Sequence, residues 1–136
     1  MKKLIFMVLA SLLILVACSS RANSSSANDN TTLAPVPAEY AGRKNPLGAE
    51  AAAEGAKVFQ TNCQMCHGPQ GHGDGPAGES LDPKPKNLAE LQTKAGDDFL
   101  FWRISEGVPG TAMVSWKQIL TEQQIWQVIS FIRTLK

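Results

Sequence analysis

The sequence predicts a small all-α domain at residues 47–136, with three or more helices. Three observations lead to this prediction. Apolar residues recur at helical spacing near the C-terminus, and an alanine-rich run stands near the start of the domain. In addition, no segment alternates apolar and polar residues as a half-buried strand does. The 11 Gly and 8 Pro residues indicate long loops between the helices.

The first two helices are predicted from composition and from their end signals. The alanine-rich run Ala49–Asn62 predicts a helix, and Gly55 inside it is costly unless another helix crosses close by. Asp97 is a candidate cap for a second helix, Asp98–Glu106, which Gly107 ends.

The last helix has the strongest pattern. Thr121 and Gln124 form a capping-box start, and the helix is predicted to run to about Leu135. Its apolar stripe predicts the main buried face of the domain. The stripe consists of Ile125, Val128, Ile129, Ile132 and Leu135.

Residues 1–17 are predicted to be a lipoprotein signal peptide. Two lysines precede the apolar run Leu4–Val16, which is shorter than the roughly 20 residues of a membrane-spanning helix. The segment Leu15–Cys18 resembles the bacterial lipobox, and the resemblance implies cleavage before Cys18 and lipidation of that cysteine, with a diacylglyceryl group and an acyl chain such as palmitate. An ordinary secretory signal and an uncleaved anchor remain alternatives.

Residues 18–46 are predicted to be the lipidated cysteine and a flexible tether. Ser19–Thr32 is rich in Ser, Asn, Ala and Thr, and Pro35, Pro37 and Pro46 follow. A random-coil estimate gives a reach of roughly 30 Å. The expected location is the cell envelope outside the cytoplasm, with the domain facing the periplasm or the exterior.

Cys63-Gln64-Met65-Cys66-His67 is the motif with the clearest chemistry. C-x-x-C-H is the attachment signature of c-type haem, in which two thiols form thioethers and the histidine ligates the iron. A zinc site would need a second ligand pair, and no further cysteine follows. A redox C-x-x-C would need a flanking βαβ pattern, which the sequence lacks.

The second axial ligand is predicted to be Met113. It lies in the Gly/Pro-containing stretch Gly107–Met113, whereas Met65 is held within the attachment motif. A methionine more often fills a core, but the haem context favours ligation. His72 is the rival ligand, although it lies too close to His67 to reach the other face easily.

Residues 47–136 resemble a class I cytochrome c domain. Gly55 and Phe59 before Cys63 resemble the N-terminal helix signature of this family, and Val128 and Phe131 resemble the helix positions that cross it. The resemblance implies a small cytochrome c fold wrapped around one covalently bound haem c.

The same resemblance extends to the loops on either side of the haem. Residues 85–88 resemble the family loop in which a backbone carbonyl, here one from Pro83 to Lys86, accepts the His67 Nδ1–H. Val114 stands where the family commonly has proline. Trp116 resembles an aromatic residue near a haem propionate, although packing alone would also explain it.

These features predict an electron-transfer protein rather than an enzyme. The net charge of +1 argues against nucleic-acid binding, and iron with two protein ligands offers no site for a small-molecule substrate. The expected partners are the upstream and downstream redox complexes of a respiratory or photosynthetic chain, together with the membrane through Cys18. Lys84, Lys86 and Lys117 form a candidate docking patch.

The alternatives are a permanent subunit of a quinol-oxidising complex, or a haem peroxidase or sensor if Met113 does not ligate.

Overall fold

Five α-helices and two short 3-10 turns make up the part of the chain that the computed structural model describes, residues 33–136. These residues belong to the second of two units into which the chain divides, Thr32–Lys136. The helices are α1 (Ala52–Asn62), α2 (Gln64–His67), α3 (Leu88–Lys94), α4 (Asp97–Glu106) and α5 (Glu122–Ile132), with 3-10 turns at Ala49–Ala51 and Gly78–Ser80. Residues 33–136 contain no β-strand, so the all-α prediction is confirmed. The predicted signal peptide and Cys18 lie outside the described residues.

Helices α1 and α5 cross in close contact. A Cβ on Gly55 would lie 1.9 Å from the backbone oxygen of Gln127, so only glycine allows the two backbones to approach this closely. One turn later Phe59 is buried, and its ring centroid lies 5.0 Å from that of Phe131. The expected crossing at Gly55 is confirmed.

Helix α5 supplies the centre of the core. The predicted stripe is buried, and full burial of each large aliphatic side chain contributes about 1.5–3 kcal/mol. Thr121 and Gln124 form the predicted capping box. The helix ends at Ile132 rather than near Leu135, yet Leu135 remains in the core because the chain continues along the same side.

Two details of the predicted helices differ from the structure. Asp97 does not cap α4, because Gly96 occupies the cap position. The Asp97 carboxylate instead accepts hydrogen bonds from Arg133 Nη2 at 2.5 Å and from the backbone amide of Asn45 at 3.0 Å. Helix α3 was not predicted, although Asn87 caps it by accepting a hydrogen bond from the Glu90 amide.

Residues 33–46, which we call the N-terminal strap, belong to the folded domain. The prediction of a flexible tether is wrong for this stretch, and the predicted domain boundary at Leu47 moves accordingly. Val36 and Tyr40 pack against the core. The Asn45 Nδ2 group donates to the backbone oxygen of Trp126 at 3.0 Å and to Ser130 Oγ at 2.9 Å, both on α5. The composition of this stretch indicated a linker because composition carries no information about hydrogen-bond partners far away in the sequence, such as Trp126 and Ser130.

Within residues 33–136, none of the helices is both long enough and apolar enough to cross a membrane.

Candidate functional site

The two thiols of the C-x-x-C-H motif lie at the start of helix α2, Cys63 at its cap position and Cys66 within it. Cys63 joins α1 to α2, and its backbone oxygen accepts hydrogen bonds from the amides of Cys66 at 3.1 Å and His67 at 2.9 Å. Residues three positions apart are neighbours on a helical surface. Both cysteines are half-buried and neither forms a disulfide, so both sulfurs are available for thioether bonds.

The imidazole of His67 is held by a backbone carbonyl. His67 Nδ1 lies 3.1 Å from the Lys86 oxygen, which selects one carbonyl from the Pro83–Lys86 stretch that the sequence left open. Burial lowers the pKa of His67, and the Lys86 carbonyl opposes this shift only in part. The neutral ring therefore donates through Nδ1–H and keeps the Nε2 lone pair for a metal.

A glycine-rich loop after α2 satisfies the carbonyls of this short helix. The amides of Gly73, Gly75 and Ala77 donate to the oxygens of His67 at 2.8 Å, Cys66 at 3.2 Å and Met65 at 3.0 Å respectively. A one-turn helix has hardly any internal partners for its carbonyls. The loop therefore fixes the attachment motif through its backbone.

Glycine is required where this loop approaches its neighbours. A Cβ on Gly75 would lie 2.4 Å from the Met65 oxygen, and one on Gly78 would lie 2.3 Å from the Cys66 oxygen. Both distances are far inside van der Waals contact. This role of the glycines was not predicted from the sequence.

The environment of Cys63 does not favour thiol–disulfide chemistry. Burial, together with the neighbouring Cys66, raises the pKa of the Cys63 thiol to about 12. Redox C-x-x-C motifs instead depend on a lowered thiol pKa. This disfavours the oxidoreductase alternative for the motif.

Met113 follows a tight turn. Thr111 N donates to the Val108 oxygen at 3.2 Å, and Gly110 has φ +77°, as a type II turn with Pro109 and Gly110 at its centre requires. The Met113 oxygen then accepts from the Val108 amide at 2.8 Å. The Met113 side chain is half-buried and packs against the core cluster that Cys63 also borders.

The chain beyond Met113 returns to the C-terminus of α4. Trp116 N donates to the Ile104 oxygen at 3.1 Å, while Ser115 Oγ and Lys117 N donate to the Ser105 oxygen at 2.6 Å and 3.3 Å. These bonds satisfy carbonyls that a helix end leaves unpaired. Residues 107–117, which we call the Met113 loop, thereby close on α4.

The other candidate residues lie elsewhere. His72 Nε2 lies 3.1 Å from the Lys136 backbone oxygen, and its side chain is exposed. Lys117 pairs with Glu106 at 2.8 Å, whereas Lys84 and Lys86 are exposed. Trp116 is half-buried, and its proximity to a propionate stays a prediction.

The donor set fits a covalently attached haem. Two unlinked thiols flank one turn of helix, and the adjacent imidazole has its Nδ1 bound and its Nε2 available. The thiols match the two vinyl groups of a haem, and Nε2 matches an axial position of its iron.

Comparison with known proteins agrees with this donor set. Residues 52–136 match the family model described as cytochrome c. A structure from the Kuenenia stuttgartiensis reducing HAO-like protein complex has a TM-score of 0.56 at 23% identity, over 64% of this chain and 44% of that chain. The KustC0563 c-type cytochrome has a TM-score of 0.50 at 27% identity, over 60% of this chain and 96% of that chain. The chain thus spans less than half the length of the first of these structures. The sequence matches none of the curated proteins.

Proposed function

Since this chain belongs to the cytochrome c family and binds haem c covalently, we propose that it carries single electrons between redox complexes of a respiratory or photosynthetic chain. We propose further that lipid on Cys18 anchors it to a membrane of the cell envelope, with the domain outside the cytoplasm. The single C-x-x-C-H motif corresponds to one haem.

The observation that carries the proposal is the pair of candidate axial ligands on separately supported elements. His67 is oriented by the Lys86 carbonyl, and Met113 follows a turn that closes on α4. The haem supplies the one-electron couple. Ligation by Met113 would leave no vacant position for a substrate, and a thioether ligand favours the reduced iron and raises the potential.

Partner docking is proposed at the surface around the attachment motif. Met65, between the two thiols, is 62% exposed, and the side chains of Lys84 and Lys86 are also exposed. An exposed apolar residue in the attachment motif, together with exposed cations on the loop that holds His67, would suit a partner with an acidic rim. Such electron-transfer encounters typically bury less than about 1,200 Å². Lys117, which pairs with Glu106, is the weakest member of the predicted patch.

Optical spectroscopy of the holoprotein and its Met113→Ala variant tests the ligand set. The wild type should be low-spin, show the far-red charge-transfer band of methionine-ligated ferric haem, and leave its reduced spectrum unchanged by carbon monoxide. Met113→Ala should lose the band and bind carbon monoxide. Met65→Ala is the matched control, because it removes an exposed methionine from the attachment motif and should keep the band.

A high-spin or carbon-monoxide-binding wild type would contradict ligation by Met113. The alternative of a peroxidase or sensor would then take the place of the electron carrier.

The anchor is tested by fractionation of cells that produce the full chain. The wild type should sediment with membranes and carry acyl groups on its N-terminal peptide by mass spectrometry, whereas Cys18→Ala should do neither. An unacylated wild-type protein would contradict the lipid anchor.

Stoichiometric copurification with a quinol-oxidising complex from detergent extracts would favour the permanent subunit over the free carrier.

A further inference from the structure

A three-residue network connects the N-terminal strap to the end of α4. The Tyr40 hydroxyl donates to Glu106 Oε1 across 66 residues of sequence. Both carboxylate oxygens of Glu106 accept from Lys117 Nζ at 2.8 Å. We call these three residues the brace.

The brace joins the strap to both ends of the Met113 loop. Glu106 is the last residue of α4 and directly precedes the loop, and Lys117 is the loop's final residue. The Lys117 amide also donates to the Ser105 oxygen at 3.3 Å. Both the side chain and the backbone of Lys117 therefore bind the end of the loop to α4. Separation of the loop's C-terminal end from α4 therefore requires Lys117 to leave Glu106 or Glu106 to move with it.

We propose that Tyr40 and Glu106 are positioning residues for the axial ligand. Through Lys117 they hold the Met113 loop closed on α4, and they limit how often the Met113 thioether leaves the iron. This inference rests on the proposed ligation by Met113. The strap precedes the haem motif in sequence, yet this proposal gives it a role in holding Met113, the proposed ligand on the other side of the haem from His67.

Tyr40 is the member of the brace that immobilises the carboxylate. The Glu106 and Lys117 side chains are 33% and 47% exposed, and an exposed ion pair alone restrains little. Tyr40, in contrast, packs against Phe101 at a centroid distance of 6.1 Å, and its amide donates to the Pro37 oxygen at 2.9 Å. A hydrogen bond to a carboxylate from a donor fixed in this way is stronger than one between neutral groups.

The test measures exogenous imidazole binding to the ferric holoprotein at saturating imidazole, where dissociation of Met113 limits the rate. Tyr40→Phe keeps the ring and removes only the hydroxyl. We expect it to raise the limiting rate roughly 3- to 10-fold, as the loss of one hydrogen bond to a partly exposed carboxylate predicts.

Asn45→Ala is the matched control. It frees the strap from Trp126 and Ser130 on α5 but leaves the brace intact, so its effect on the limiting rate should be less than twofold. An unchanged rate in Tyr40→Phe would overturn the proposal. An equal rise in both variants would also overturn it, because general loosening of the strap would then explain the effect.

Amide hydrogen exchange supplies a readout that does not depend on iron ligation. Exchange at Val108 and Trp116, whose amides close the loop, should be faster in Tyr40→Phe than in Asn45→Ala. If Met113 does not ligate, imidazole will bind the wild type without a limiting rate, and the proposed function fails. The exchange comparison still decides whether the brace holds the loop.

Discussion

The two candidate iron ligands are supported by different kinds of structure. Around His67, backbone amides of the glycine-rich loop bind the carbonyls of α2, and a backbone carbonyl holds the imidazole. Around Met113, side chains contribute much of the support: Ser115 binds the α4 terminus, and Lys117 binds Glu106. The first region is held by backbone contacts. The second also has backbone hydrogen bonds and a close approach at Gly107, but it adds side-chain contacts that can be removed one at a time.

This difference matters because the two regions face different demands in a haem protein. The covalent attachment and its histidine are not expected to move. A side-chain-supported loop, in contrast, opens at a free-energy cost set by a small number of hydrogen bonds. Gly75→Ala, Gly110→Ala and Ser115→Ala test this contrast, with expected effects that fall in that order, and Asp97→Asn tests how the strap is attached.

Gly75→Ala should have the largest effect. The new Cβ would lie 2.4 Å from the Met65 oxygen and 2.7 Å from the Cys66 oxygen, so backbone has to shift. We expect a loss of about 3 kcal/mol in the free energy of unfolding, measured by denaturant titration of the holoprotein.

Gly110→Ala provides the comparison from the Met113 loop. A Cβ there meets nothing within 4 Å, and only the φ of +77° penalises it, by about 1 kcal/mol. If Gly75→Ala were no more destabilising than Gly110→Ala, steric confinement of the attachment loop would be refuted.

Asp97→Asn should show how acid weakens the attachment of the strap. Burial raises the pKa of Asp97, but the Asn45 amide and Arg133 outweigh burial and hold the pKa below its ordinary value. The contribution of the carboxylate to stability is therefore full above its unfolded-state pKa of about 3.9 and is lost as pH falls through the lower folded-state pKa. At pH 7 we expect Asp97→Asn to cost about 1–2 kcal/mol.

The pH dependence of the free energy of unfolding separates this charge effect from lost packing. The difference between the wild type and Asp97→Asn should shrink steadily below about pH 4. A difference that stays constant from pH 7 to strongly acidic pH would show that the charge of Asp97 does not stabilise the fold.

Ser115→Ala should have the smallest effect of these variants. It removes the 2.6 Å hydrogen bond to the Ser105 oxygen, but that oxygen keeps its bond from the Lys117 amide. We expect a loss of about 0.5–1 kcal/mol in the free energy of unfolding. If Ser115→Ala lowered the free energy of unfolding as much as Gly75→Ala does, the proposed difference in support between the two regions would be wrong.

The parts of the fold that could be predicted are those with local signals. The Thr121 capping box lies within one turn, the α5 stripe repeats along a single segment, and Gly55 stands out as a costly residue inside a helix. Each was predicted correctly. Helix α3 also has a local cap at Asn87 but is only seven residues long, too short for a clear apolar period.

The missed features depend on contacts between distant residues or on the backbone. Tyr40 meets Glu106 across 66 residues, and no pattern near either residue indicates the partner. The Lys86 carbonyl could not be chosen from its neighbours because every residue carries such a group. Ligation by Met113 and lipidation of Cys18 stay predictions.

Docking of the strap also changes the length of chain between the proposed anchor and the haem domain. If residues 19–32 form the flexible tether that their composition predicts, the spacer shortens from residues 19–46 to residues 19–32, and its random-coil reach falls from roughly 30 Å to roughly 20 Å. Because effective concentration falls with about the three-halves power of linker length, a partner within the shorter reach meets the domain roughly three times as often. With the proposed lipid anchor at Cys18, the strap would therefore narrow the layer above the membrane that the domain can reach and would raise its collision frequency with partners in that layer.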